Sequence, residues 1–135
     1  MTKLEELKDI LHKKNASLVV LFKNGEIKEY YQDRITDIKN ILTENSESLV
    51  GASVADRVIG KTAASVLAVA GIKELYTDVI SSLAIRVLED NDIKYEYLEK
   101  VDYIKNKDNT GMCPMENKFK NEINIHKIYN QIFAM

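Results

Sequence analysis

The chain has 135 residues, 45% hydrophobic and 30% charged, with a formal net charge of −2. That length suits one domain with a sizeable core, and the composition is that of an ordinary soluble globule. The near-neutral charge argues against nucleic-acid and anionic-membrane partners, and a single cysteine, Cys113, excludes a disulfide framework and an all-cysteine zinc site.

One domain over 1–135 is expected, with no linker, repeat or low-complexity segment. The opening MTKLEELKDILHKK lacks the apolar core of a signal peptide. The longest uncharged run, 62–72, is too short to span a bilayer. The expected compartment is the reduced cytoplasm.

Thr2-Lys3-Leu4-Glu5 reads as a capping box. Leu4, Leu7, Ile10 and Leu11 then form the apolar stripe of a helix that ends near Asn15. Ser17 to Lys23 is β-rich. Asn24-Gly25 follows it as a hairpin signal, and Glu26 to Tyr31 returns. Ile35, Ile38, Ile41 and Leu42 predict a short helix from Arg34 to Thr43, and 44–48 is a polar loop.

The segment 51–65, GASVADRVIGKTAAS, reads as the first part of a helix from Ala52 to Ala70, closed by Gly71. Helical spacing puts Ser53, Arg57, Lys61 and Ser65 on one row, opposite Ala55, Val58, Ile59, Ala63, Val66 and Ala70. The row is either a solvated face or a cationic face for an anion. Arg57 and Lys61 one turn apart repel by a few tenths of a kcal/mol, which an anion or a carboxylate would relieve. Asp56 leans toward the apolar arc and needs an ion pair, a hydrogen bond or a cleft. Gly60 in a helix interior costs about 1 kcal/mol against Ala, a cost understandable where a backbone or ligand comes close.

A strand is expected over 72–80. Ser81 or Ser82 then caps a helix to about Asn91. Ile93, Tyr95 and Tyr97 alternate as a strand, and Val101 and Tyr103 continue it or form a second strand. Lys105 to Gly111 is a polar loop. Cys113-Pro114-Met115-Glu116 opens a C-terminal helical region of about 114–133, with Pro114 at its first position and Glu116 at its third. Phe119, Ile123, Ile128, Tyr129, Ile132 and Phe133 give it an apolar face, to pack on the sheet or to meet another subunit. A hairpin followed by strand–helix–strand units implies an α/β fold, a three-layer α/β/α sandwich on a mixed sheet.

Cys113 at a helix N-terminus lies where the dipole favours thiolate, or it is a small capping residue. His12, among lysines, and His126, on the last helix, read as surface residues, so neither is an obvious base for it. Ser81 and Ser82 either donate to an anion together with helix amides or cap their helix. Phosphate-loop, dinucleotide-loop, zinc-protease and nucleophile-elbow motifs are absent.

The segments ADRVIGKTAA (Ala55 to Ala64), VIS-SLA (Val79 to Ala84), IKNK (Ile104 to Lys107) and CPME (Cys113 to Glu116), within a match over about Leu11 to Phe119, carry a family resemblance. The chain resembles an uncharacterised small prokaryotic family placed in the cytidine-deaminase-like fold group, a family with no established activity. The resemblance implies that fold. Active deaminases hold a His or Cys and a catalytic Glu on the helix after the hairpin, and Pro-Cys-x-x-Cys at the next helix, around zinc. Here the first helix offers Asp56, Arg57 and Lys61, and Ser81, Ser82 and Ala84 stand where thiolates are needed. Three zinc ligands cannot be assembled, which argues against zinc-dependent deamination. The extra helix from Arg34 to Thr43 also departs from the simplest deaminase plan.

The expected function is therefore a metal-free, cofactor-free, deaminase-like domain that binds a small anionic or nucleotide-like ligand in the cleft at the 52–70 helix. Asp56, Lys61 and Cys113 are the candidate catalytic residues. Arg57, Gly60, Ser81, Ser82 and Asn106 are the candidate ligand contacts. The alternatives are a thiol enzyme built on Cys113 and a non-catalytic module that forms homo-oligomers through its C-terminal helix.

Overall fold

The computed structural model describes residues 1–32, 35–106 and 108–134. The expected helix start at Arg34 and the Lys107 end of the IKNK segment fall outside the described residues. Helix α1 spans Lys3–Lys13. Thr2 Oγ1 accepts the Glu5 N–H at 3.1 Å, and Leu4, Leu7 and Leu11 are buried. Asn15, in the left-handed region at φ 53°, turns the chain toward β1, Leu18–Leu21. Gly25, at φ 94°, supplies the left-handed residue of the hairpin loop to β2, Ile27–Tyr30. The Phe22 N–H donates to the Glu26 carbonyl at 2.8 Å across that loop. Helix α2 spans Ile35–Glu44.

The 52–70 helix expected from the sequence is a strand followed by a helix. Ser53–Ile59 is β3, and only Lys61–Ala70 is helical, as α3. Residues 53–56 and 59 are all buried. Both faces of β3 are covered, so its sequence lacks the alternation of a half-exposed strand. Ala55 packs in the α1 cluster and Val54 in the other core. Gly71, at φ 86°, ends α3 as expected.

Strand β4 spans Glu74–Ser81 and helix α4 Ser82–Asp90. Strand β5 is one strand, Lys94–Val101, which settles the choice left open for 93–104. Helices α5, Pro114–Phe119, and α6, Ile125–Ala134, make up the C-terminal helical region. The sheet order is β2-β1-β3-β4-β5. Strand β1 is antiparallel to both neighbours, while β3, β4 and β5 run parallel. The sheet is thus mixed, as expected. Leu4, Leu7 and Leu11 of α1 bury Val19, Ala55 and Tyr76 on one face. On the other, Leu18, Val20 and Val54 meet Ile38 of α2, Leu67 of α3, Leu88 of α4 and Ile128 of α6. Among the described residues, no helix is long and apolar enough to cross a membrane.

Candidate functional site

Parallel strands that feed helices bring strand carboxyl ends and helix N-termini together, the usual place for a ligand in α/β sheets. Here β3 ends at Ile59 and α3 begins at Lys61, with β4 and α4 alongside. A cavity of about 80 Å³ opens at the end of β3. Asp56 and Val58 of β3, Gly60 of the turn, and Thr62 and Ala63 of α3 form one wall. Ile35 of α2 and Ile104, Cys113, Met115 and Glu116 of the C-terminal segment form the rest.

Gly60 is the N-cap of α3, in an extended conformation, and it has no side chain to satisfy the first amides of the helix. Glu116 supplies what is missing: its Oε2 accepts the Lys61 N–H at 2.7 Å. A carboxylate at a helix N-terminus also meets the favourable end of the dipole. Two further bonds fasten α5 to the start of α3. Lys61 Nζ donates to the Lys120 carbonyl at 3.0 Å, and Thr62 Oγ1 to the Met115 carbonyl at 3.3 Å. The Glu116 residue is only 2% exposed. Its second oxygen, Oε1, has no hydrogen-bond partner among the described residues. An unmade hydrogen bond on a buried polar atom costs roughly 1–3 kcal/mol, so this oxygen has a use for a donor that enters the cavity.

The expected site residues part company around this cavity. Asp56, Gly60 and Cys113 line it. Asp56 is buried and accepts the backbone N–H of Arg57 on Oδ1 at 2.7 Å. Gly60 is not in a helix interior, and what comes close to it is neither a backbone nor a ligand but the side chains of Glu116 and Ile104. Cys113 is the half-buried N-cap of α5, with no side-chain cap bond.

Arg57 and Lys61 do not share a row, because the strand sends Arg57 to the α1 side of the sheet. There Arg57 Nε donates to the Ala16 carbonyl at 3.0 Å and Nη2 to the Leu11 carbonyl at 3.1 Å. Its Nη1 pairs with Asp78 at 3.1 Å. Lys61 is buried beside the cavity without lining it. Burial pushes its ammonium below the ordinary lysine value, partly offset by Glu122 and Glu116. Ser81 Oγ accepts the Ala84 N–H at 3.1 Å and so caps α4. Ser82 Oγ faces the Val101 carbonyl at 3.4 Å. Asn106 closes its own loop, through Thr110.

Glu116 is the residue that sequence reasoning undervalued. It stood in the CPME motif as a first-turn acid of its own helix, whereas its partner is 55 positions away. His12 is exposed, as expected, and bonds Asp78 Oδ1 at 2.8 Å, while Tyr76 OH donates to the same oxygen at 2.5 Å. His126 is exposed, as expected. Among the described residues, no histidine lines the cavity beside Cys113. Among the described residues, no cluster of three or more His, Cys, Asp or Glu could hold a metal.

A larger open groove of about 860 Å³ lies between the hairpin loop and the 40–50 segment. Its charged lining, with Lys23, Lys28, Glu26, Glu44 and Glu47, is exposed, and among the described residues Ile41 is the only buried one that lines it. A ligand there would compete with water for every polar contact, so the smaller cavity is the better candidate.

The sequence profile of the family described as a domain of unknown function (DUF1893) matches residues 6–134. The chain belongs to this family. It is similar to a DUF1893 family protein from Thermotoga maritima, known from a crystal structure, with 25% identity and a TM-score of 0.86. The match covers 99% of this chain and 91% of that one. No curated protein matches the chain.

Proposed function

We propose that this DUF1893 protein is a deaminase-like domain that uses no metal and binds a small polar ligand at the end of β3, where the ligand donates a hydrogen bond to Glu116. Apart from the inserted α2, the order helix, hairpin, strand, helix, strand, helix, strand supports the deaminase-like assignment. The two helix N-termini where zinc donors would stand carry Gly60-Lys61-Thr62 and Ser81-Ser82, and this donor set does not fit zinc.

The observation that carries the binding reading is the buried Glu116 carboxyl, held by the Lys61 amide on one oxygen and open on the other. The chemistry differs from the anion first expected. Among the described residues, the cavity lining carries two carboxyl side chains and no cationic one. Its size suits a group of a few heavy atoms, since a water occupies about 30 Å³ of liquid. An exocyclic amino group on a heterocycle, or a small amine, meets both conditions, and it keeps the nucleotide-like class in view through the base edge. Asp56 and the Cys113 thiol would bound the same group from the facing walls.

Thermal unfolding in the presence of cytosine, adenine, guanidinium and inorganic phosphate tests this reading. The amino-bearing compounds should raise the midpoint and phosphate should not. Ligand at a hundredfold excess over its Kd adds about 2.7 kcal/mol of stability. Glu116→Gln can still accept the Lys61 N–H through its carbonyl oxygen while presenting an NH₂ to the cavity, and it should abolish the response. A response that survives in Glu116→Gln, or none with any amino-bearing compound, would sink the proposal.

A further inference from the structure

The sheet order puts β2 and β5 at its two edges. Edge strands expose unpaired N–H and C=O groups and invite pairing with another chain. Strand β5 pairs with β4 on one side only, and it is the last strand of the sheet. It leaves Leu98 59% and Tyr97 42% exposed. A leucine open to this degree on an unpaired edge calls for a partner or for a charge that repels one.

The charges answer that question through symmetry. Two copies pairing antiparallel about a two-fold axis normal to the sheet can centre only on a residue, because opposed residues must share a face. A register centred on Glu96 sets Glu96 against Glu96. One centred on Tyr97 sets Lys94 against Lys100, and one centred on Glu99 sets Glu99 against Glu99. Each is opposed by like charges. The register centred on Leu98 is different. It sets Leu98 on Leu98, Glu96 on Lys100, Tyr97 on Glu99 and Tyr95 on Val101, and Lys94 then meets Asp102 just past the strand. Leu98 is flanked on both sides by opposite charges, on the face that also holds the Lys94–Glu96 pair.

The other edge, β2, offers less to pair with. Centring on Lys28 opposes Lys28 to itself and centring on Glu29 opposes Glu29 to itself, while centring on Ile27 sets Glu26 on Lys28 but engages only the first two residues of the strand. At four residues, β2 is also half the length of the eight-residue β5. Strand β5 thus offers the longer edge, with a register in which its charges complement one another.

We propose that two copies of this chain join through β5 in the Leu98-centred antiparallel register, making one continuous sheet across the dimer. This rests on the β5 edge alone and is independent of the cavity at Glu116.

Sedimentation of the full chain over a dilution series tests it, with thermal melts to verify that each variant is folded. The wild-type chain should dimerise. Glu96→Lys and Lys100→Glu should each weaken the dimer about tenfold, since each turns two symmetric attractive pairs repulsive. The combined Glu96→Lys, Lys100→Glu chain should regain the dimer, because the swapped charges again face one another only in this register. A wild-type chain that stays monomeric overturns the proposal. So does a dimer that either single reversal leaves unchanged, or a double variant that fails to recover.

Discussion

A Cβ added at Gly60 would lie 2.5 Å from Glu116 Oε2 and 3.0 Å from Ile104 Cγ1. The turn into α3 and the short helix α5 are therefore fitted to each other through the one position that has no side chain. The backbone at Gly60 is extended and open to any residue, so the demand for glycine comes from Glu116 and its neighbour.

Gly60→Ala should destabilise the fold by about 1–3 kcal/mol, because the buried carboxyl must shift off the Lys61 amide. Glu116→Ala should cost a similar amount by leaving that amide uncapped. In the Glu116→Ala background, Gly60→Ala should cost much less, since the main obstacle is gone. Urea denaturation of the four chains measures the coupling. Additive costs would mean that position 60 is constrained by something other than Glu116.

Lys61→Met should leave the response to amino-bearing ligands intact and change stability by about 1 kcal/mol or less. The ammonium gives up one bond to the Lys120 carbonyl, but the buried charge goes with it. The thermal-shift panel run on this variant separates a scaffold lysine from a ligand contact. A response lost with Lys61 would return it to the site.

What was legible in the sequence was local chemistry. Thr2, Asn24-Gly25, Gly71 and Pro114 each act within a few residues, and each stands where the sequence places it. Residues 53–59 misled because Ala, Ser and Val suit a buried helix and a doubly covered strand equally well, and Gly60 was the only break between strand and helix. That one error moved Arg57 to the wrong side of the sheet. The Glu116–Lys61 and His12–Asp78 contacts span 55 and 66 positions. No window of sequence holds both partners, so tertiary pairing alone decides them.

Asp78 predicts a loss of stability in acid. Burial by itself pushes its carboxyl up, but hydrogen bonds from Tyr76, His12 and Arg57 outweigh that and hold it below the ordinary aspartate value of 3.8. A carboxyl depressed in the folded state is protonated more readily in the unfolded chain. Its contribution is therefore present above pH 3.8 and fades as pH falls through the lower folded value. Asp78→Asn should be less stable than wild type at neutral pH, and the gap should narrow below about pH 4. Denaturation midpoints across that range check the sign. A gap that stays constant with pH would remove Asp78 from the account of acid sensitivity.

Arg57 fixes α1 and its exit to the sheet with a planar fork. Its nitrogens reach the Leu11 carbonyl at the end of α1, the Ala16 carbonyl in the link to β1, and Asp78 on β4. Lysine carries the charge without the fork and cannot hold three acceptors set apart in this way. Arg57→Lys should therefore cost roughly 1–2 kcal/mol, the worth of about two lost hydrogen bonds at a half-buried site. The loss should also be local. Amide exchange should quicken in α1 and the 14–17 link, while α3 and α4, on the opposite face, keep their protection. Uniform acceleration across both faces would show that Arg57 supports the whole sheet and not the docking of α1.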